Sequence, residues 1–177
     1  MNITVYLGSR FGNDPVYRET AAEIGRWIAE DGHRLIYGGS GVGLMGVLAD
    51  TAIAGGAEVI GVEPRFFIED GLLHEGITKT IPTETMAERR LLMMEMGDAF
   101  VAIPGGVGTL DEISEVMVML NLMKMDKPCI LYNKNGYYDP LREMLDRMAK
   151  ADFLTGESRE KILFADSIDD IRRMILL

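Results

Sequence analysis

The sequence predicts an α/β protein with a Rossmann-like, doubly wound, mostly parallel sheet and helices on both faces. Three observations carry this. Strand-like and helix-like segments alternate from one end of the chain to the other. The central strand-like run, residues 99–103 (AFVAI), is apolar without alternation, as in strands buried on both faces of a parallel sheet. Glycine clusters stand where strands pass into helices, which is where open α/β sheets place their ligands.

The elements follow in order. Residues 2–7 alternate and then become apolar, ending at Gly8-Ser9, so a first strand runs into a small-residue turn. Asp14-Pro15 supplies an N-cap and a first helical residue; Ala21, Ala22, Ile24, Trp27 and Ile28 recur at helical spacing to about residue 30, and Gly32 ends the helix. Residues 33–37 form a second strand, residues 38–43 (GGSGVG) a glycine loop, and residues 44–54 a small-residue helix. Residues 57–62 make a third strand, and residues 63–76 read as a surface loop or short helix. Thr85 and Glu88 form a capping-box start for a helix to about residue 96. After the 99–103 strand, residues 110–124 form a helix apolar around most of its girth, as expected of a helix buried in the domain or at a subunit contact. A strand at 128–132, a turn at 133–136, a helix at 139–150, a strand at 162–165 and a closing helix at 167–177 capped by Ser167 complete the chain. No linker or repeat divides it, so residues 1–177 read as a single nucleotide-binding domain.

Composition narrows the function. With 18 basic against 28 acidic residues, a formal charge of −10 and a pI near 4.7, the chain lacks the basic surface that nucleic acids or anionic membranes demand. A small phosphorylated ligand, held by a few local donors, remains compatible. Cys129 stands alone in an apolar run, reading as a core thiol in a reducing compartment. No basic leader with a long apolar segment opens the chain, and no run approaches membrane-spanning length, so a cytoplasmic protein is expected. His33 and His74 have no cysteine partners, and no metal site is expected.

The candidate chemistry centres on residues 104–112, PGGVGTLDE. Gly105, Gly106 and Gly108 leave the backbone N–H groups free to close around an anion at a helix N-terminus, and Thr109 adds a hydroxyl. Thr109 to Glu112 equally fits a capping box, in which Glu112 only satisfies the helix's first N–H groups. Arg89 and Arg90, in the first turns of their helix, either reinforce an anion site or are solvated surface arginines. The GGSGVG loop approaches a dinucleotide fingerprint, with Glu58 or Glu63 near the expected acidic position. It follows the second strand rather than the first, however, so close packing or a second wall of a nucleotide site is the better reading.

Taken together, GSRFGNDPVY, YGGSGVGLMG, GGAEVIGV, MAERRLLM, DAFVAIPGGVGTLDE and GYYDPL resemble the Lonely Guy (LOG) family of cytokinin-activating phosphoribohydrolases along nearly the whole chain. The resemblance implies hydrolysis of the N-glycosidic bond of a nucleoside 5'-monophosphate, AMP or an N6-substituted AMP, to free base and ribose 5-phosphate. It implies Arg89 and Glu112 as the catalytic pair. It also implies nucleotide contacts from Gly8, Ser9, Gly38, Gly39, Arg90, Gly105, Gly106, Val107, Gly108 and Thr109. Neither metal nor cofactor is implied, and a homodimer is, with each site completed at the subunit interface. The chain departs from the family at three places. Ser40 follows Tyr37-Gly38-Gly39 where YGGG is usual. Gly71 stands where a substrate-contacting Glu is usual, with Glu69 and Asp70 beside it. Val118-Met119-Leu120-Asn121 replaces a Thr-Trp-x-Gln run. These changes fall on base recognition. The family's older lysine decarboxylase label does not suit the chain, because a pyridoxal-phosphate enzyme needs a Schiff-base lysine and no lysine lies in a glycine loop. A non-catalytic nucleotide-binding or carrier protein of the same fold is the alternative reading.

Overall fold

The computed structural model describes residues 1–176. Seven strands, β1 (Asn2–Tyr6), β2 (Arg34–Tyr37), β3 (Val59–Pro64), β4 (Lys79–Thr83), β5 (Ala99–Ala102), β6 (Cys129–Tyr132) and β7 (Ile162–Ala165), form one sheet in the order β4-β3-β2-β1-β5-β6-β7. Every pairing is parallel. The chain winds outward from β1 to β4, then returns to lay β5 on the free edge of β1, with Ile3 opposite Ala99. The strand order therefore reverses between β1 and β5, and the loops leaving their C-terminal ends flank a crevice.

The helices cover both faces. Ile3, Val5 and Leu7 of the first strand segment point to one side, with Ile24, Trp27 and Ile28 of α1 (Pro15–Glu30), Leu48 of α2 (Gly43–Ala54) and Ile171 of α8 (Ile168–Met174). Tyr6, Phe100 and Ala102 point to the other, toward Met93 and Met94 of α4 (Met86–Met96), Ile113 and Val116 of α5 (Val107–Asn121) and Leu145 of α6 (Asp139–Lys150). The two-residue period of each buried strand thus feeds two cores, which is why these strands are apolar throughout. The first helix opens as expected: Asp14 accepts from the Val16 N–H at 2.9 Å, with Pro15 at the first helical position.

Two elements go beyond the sequence reading, α7 (Gly156–Glu160) and strand β4. The β4 sequence, KTIPT, carries a proline and polar alternation. It is tolerated because β4 is an edge strand pairing only with β3, where a missing donor costs least. The segment after the third strand does contain a short helix, α3 (Arg65–Glu69). Glu63, however, is not in a surface loop: β3 continues through Pro64 and buries it. Helix α5 begins at Val107, three residues ahead of the expected start. The closing helix starts where expected after Ser167, and the Leu177 end of that reading lies outside the described residues. Among the described residues, no helix is long and apolar enough to cross a membrane.

Candidate active site

A cavity of about 820 Å³ opens at the C-terminal ends of β1, β2, β3 and β5. One wall is the turn between β5 and α5. The Gly8 N–H donates to the Pro104 carbonyl at 3.3 Å, Tyr138 donates through its hydroxyl to the Ile103 carbonyl at 2.8 Å, and Tyr137 donates to the Gly105 carbonyl at 2.5 Å. The turn is thereby fixed before any ligand arrives. Gly105 is required by the packing, since a Cβ there would stand 2.1 Å from Thr109 Oγ1. Gly106 and Gly108 are not, since a Cβ at either would meet no protein atom within 4 Å. Their bareness leaves open space in front of the helix.

That helix is uncapped. Asp14, Thr85, Thr155 and Ser167 cap α1, α4, α7 and α8 through their side chains, whereas α5, like α2, α3 and α6, has no side-chain acceptor for its first N–H groups and starts from Gly106. These donors and the positive end of the helix dipole face the cavity, an arrangement suited to an anion. The capping-box reading of Thr109 to Glu112 is corrected here. Thr109 is the third residue of the helix and is buried, so it cannot be the N-cap, and Glu112 turns to a different partner.

That partner is Arg89. Its Nη1 lies 3.5 Å from Glu112 Oε1, with each side chain about 10% exposed, and its Nε donates to the Val62 carbonyl at 3.1 Å. Gly38 makes room for it, because a Cβ at position 38 would stand 1.8 Å from the guanidinium. Arg90 is held differently, 3.3 Å from Asp111 and 3.1 Å from Glu115, and so ties α4 to α5. Neither arginine is a solvated surface residue. Burial pushes the Glu112 carboxyl up to about 7 against the pull of Arg89. Burial likewise raises the Tyr6 hydroxyl well above its usual range, with Glu112 adding to the effect.

The cavity brings together most of the residues singled out in the sequence: Gly8, Ser9, Gly38, Arg89, Arg90, Gly105, Gly106, Val107, Gly108, Thr109 and Glu112 all line it. Gly39 does not. It adopts φ +86° and packs against Glu63, whose Oε2 would stand 2.5 Å from a Cβ there. Val118 is on the outer face of α5, half exposed and outside the cavity. Glu69 and Asp70 are exposed and also outside it. Two further carboxylates line the cavity, Asp111, which is exposed and paired with Arg90, and Glu63, which is 2% exposed, pushed up to about 7 by burial, and has no hydrogen-bond partner for Oε2. Its signal in the sequence was a charged residue following directly on an apolar strand, at the end of the strand where ligands bind. Arg10 and Tyr137 are among the lining residues that the sequence did not single out. No lysine lines it. Burial pushes the Cys129 thiol up to about 12, in keeping with an inert core residue.

Fold and site together define a doubly wound α/β protein that presents an uncapped helix N-terminus and a buried Arg–Glu pair to one cavity at its topological switch point. Residues 45–175 match the family model described as "Possible lysine decarboxylase". The chain is 40% identical over 169 residues to a cytokinin riboside 5'-monophosphate phosphoribohydrolase from Rhodococcoides fascians, covering 95% of this chain and 85% of that one. It is 34% identical over 169 residues to the enzyme of the same name from Arabidopsis thaliana, covering 96% and 79%. The chain belongs to this LOG family. Among solved structures, the molybdenum cofactor binding protein of Rippkaea orientalis superposes with a TM-score of 0.74 at 22% identity, covering 99% of this chain and 94% of that one. The molybdenum cofactor carrier protein of Chlamydomonas reinhardtii does so at 0.73 and 19%, covering 99% and 98%. At these identities the likeness is one of fold.

The buried carboxyls set a pH dependence of stability. With folded values near 7 against an ordinary 4.5, Glu63 and Glu112 hold protons in the folded protein that the unfolded chain has released. Their contribution to stability is therefore full below about pH 4.5 and is lost as pH rises through 7. Glu63→Gln removes one share. Its melting temperature relative to wild type is expected to rise from pH 5 to pH 8, measured by thermal denaturation, and a constant difference would show that Glu63 titrates normally.

Proposed function

We propose that the protein is a nucleoside 5'-monophosphate phosphoribohydrolase, hydrolysing the N-glycosidic bond of AMP or N6-substituted AMP to free base and ribose 5-phosphate. The observation that carries this reading is the Arg89–Glu112 pair, buried in the same cavity as an uncapped helix N-terminus one turn away. The names of the relatives support it. In this reading the 5'-phosphate takes the place of the missing cap, accepting hydrogen bonds from the first N–H groups of α5 and from Thr109. Glu112 follows Thr109 by three residues, about 4.5 Å along the helix axis, which sets its carboxylate beside the ribose.

The chemistry follows from the charge that develops. As the bond from C1' to the base nitrogen lengthens, the ribose acquires oxocarbenium character, and a carboxylate in a nearly dry pocket stabilises it and takes the proton of the attacking water. Arg89 favours the ionised form of Glu112 against the burial that raises its pKa, and holds the carboxylate at the cavity wall. A carrier that only held the nucleotide would need the glycine turn but would have no use for this buried pair. A pyridoxal-dependent decarboxylase would need a lysine in the cavity, and the lining has none.

We further propose a homodimer. The outward face of α5 presents Leu110, Val118 and Leu122, each about half exposed, and Leu91 of α4 is half exposed as well. A second copy covering this face would remove an apolar patch that water otherwise meets. It would also bring a neighbouring subunit to the position of Val118.

Three outcomes are expected. Glu112→Gln keeps the shape and removes the charge, so release of free base from AMP or isopentenyladenosine monophosphate, followed by chromatography, falls by roughly 10²–10⁴-fold. Nucleotide binding survives, and retained turnover would overturn the mechanism. Gly108→Ala adds a Cβ that meets nothing in the protein, so the empty protein is unharmed or stabilised by up to about 1 kcal/mol in chemical unfolding. AMP affinity by calorimetry nevertheless drops, whereas unchanged affinity would remove this turn from the site. Val118→Arg shifts the mass by light scattering from twice 19.6 kDa to that of one chain. A wild type that is already monomeric would end the dimer proposal.

A further inference from the structure

Glu63 has no structural reason to be a glutamate. The rest of β3 is Val59, Ile60, Gly61, Val62 and Pro64, all buried, and an apolar side chain at position 63 would continue the pattern. Instead a carboxyl sits there with Oε2 shielded from water and unpartnered, a costly arrangement that packing alone would not maintain. The charged and titratable groups that act on it are Arg89 from α4 and the Tyr37 hydroxyl from β2, which is itself without a partner. Glu112 of α5 is linked to it only through Arg89. Arg89 thus stands between two buried carboxyls with one positive charge, and its ion pair is made with Glu112. The contact suggests a division of roles: Glu112, paired with Arg89, is the carboxyl placed to work as an anion, and Glu63, without an ion pair, is the one placed to give up a proton.

Its position in the sheet says what that proton faces. The phosphate cradle leaves β5, and the order β3-β2-β1-β5 puts Glu63 three strands away, about 14 Å at 4.8 Å per strand. Both line the same cavity. A nucleotide whose phosphate lies in the cradle therefore directs its base toward β3.

Building on the phosphoribohydrolase reading, we propose that Glu63 is a second catalytic residue, the general acid that protonates a ring nitrogen of the departing purine. The bond between C1' and the base nitrogen breaks with its electron pair leaving on the base, and the Glu63 proton goes to the purine ring. The water oxygen bonds to C1', and its proton goes to the Glu112 carboxylate. Exchange with solvent then returns one proton to Glu63 and removes one from Glu112, so water and nucleotide become free base and ribose 5-phosphate with nothing left over. Neither carboxyl can do both tasks at once, and the ion pair of Arg89 with Glu112 rather than Glu63 is what assigns the base to one and the acid to the other.

The experiment compares wild type, Glu63→Gln and Glu63→Asp on AMP and on 7-methylguanosine 5'-monophosphate, whose cationic base departs without taking a proton. On AMP, Glu63→Gln is expected to lower kcat at least 100-fold with KM little changed, and to abolish the alkaline limb of the pH profile. Glu63→Asp, which keeps an acid, retains more activity than Glu63→Gln. On the methylated nucleotide, Glu63→Gln turns over at close to the wild-type rate. Equal losses on both nucleotides, or no loss on AMP, would overturn the general-acid role. Should wild type reject the methylated nucleotide, the AMP profile decides, and an alkaline limb unchanged in Glu63→Gln overturns it. A wild type that releases base from neither nucleotide instead overturns the phosphoribohydrolase reading beneath it.

Discussion

The cavity depends on where one positive charge can go. Arg89 is buried among carbonyl, carboxylate and glycine backbone, and each neighbour answers to it: Val62 offers a carbonyl, Glu112 an ion pair, and Gly38 the space its own side chain would have filled. A buried guanidinium without these partners would be strongly destabilising, so β3, α5 and the loop after β2 are positioned together or not at all. This coupling draws residues from four separate parts of the chain into one site. It also explains why the GGSGVG loop has the look of a nucleotide fingerprint. Its first two glycines yield to Arg89 and to Glu63, side chains of the protein itself.

Much of this was legible beforehand, for identifiable reasons. Strands such as residues 99–103 announce themselves because a parallel sheet covered on both sides leaves no polar face. The turn at residues 104–109 announces itself because its glycines, one packed tightly and two facing open space, are concentrated at the end of the central strand. The edge strand KTIPT was hidden because an edge needs fewer apolar residues and tolerates proline. The start of α5 was misplaced because Thr109 and Glu112 imitate a capping box, while the true start at Gly106 has no side chain to show it.

Glu63 is the instructive misreading. Sequence patterning ranks a lone glutamate after a strand as the beginning of a surface loop, and only the continuation of β3 through Pro64 shows that it is enclosed. The acidic pair Glu69-Asp70, by contrast, attracted attention through its place beside Gly71 and lies in solvent. Carboxylates are informative through burial, which one-dimensional patterns report poorly for a single residue.

The two kinds of glycine around the cavity carry an evolutionary consequence. Gly105 and Gly38 are locked in place by neighbouring atoms, so their loss harms folding. A Cβ at Gly106 or Gly108 would meet no protein atom within 4 Å, so a small side chain there would leave the packing intact while filling the open space in front of the helix. Packing does not demand glycine at these two positions, whereas an anion bound in front of the helix, as proposed above, would. A duplicated copy of such a gene released from its substrate would drift at these positions first, becoming an intact scaffold with a closed or reshaped mouth. A single fold can in this way pass between cargoes and chemistries without crossing an unfolded intermediate in sequence space.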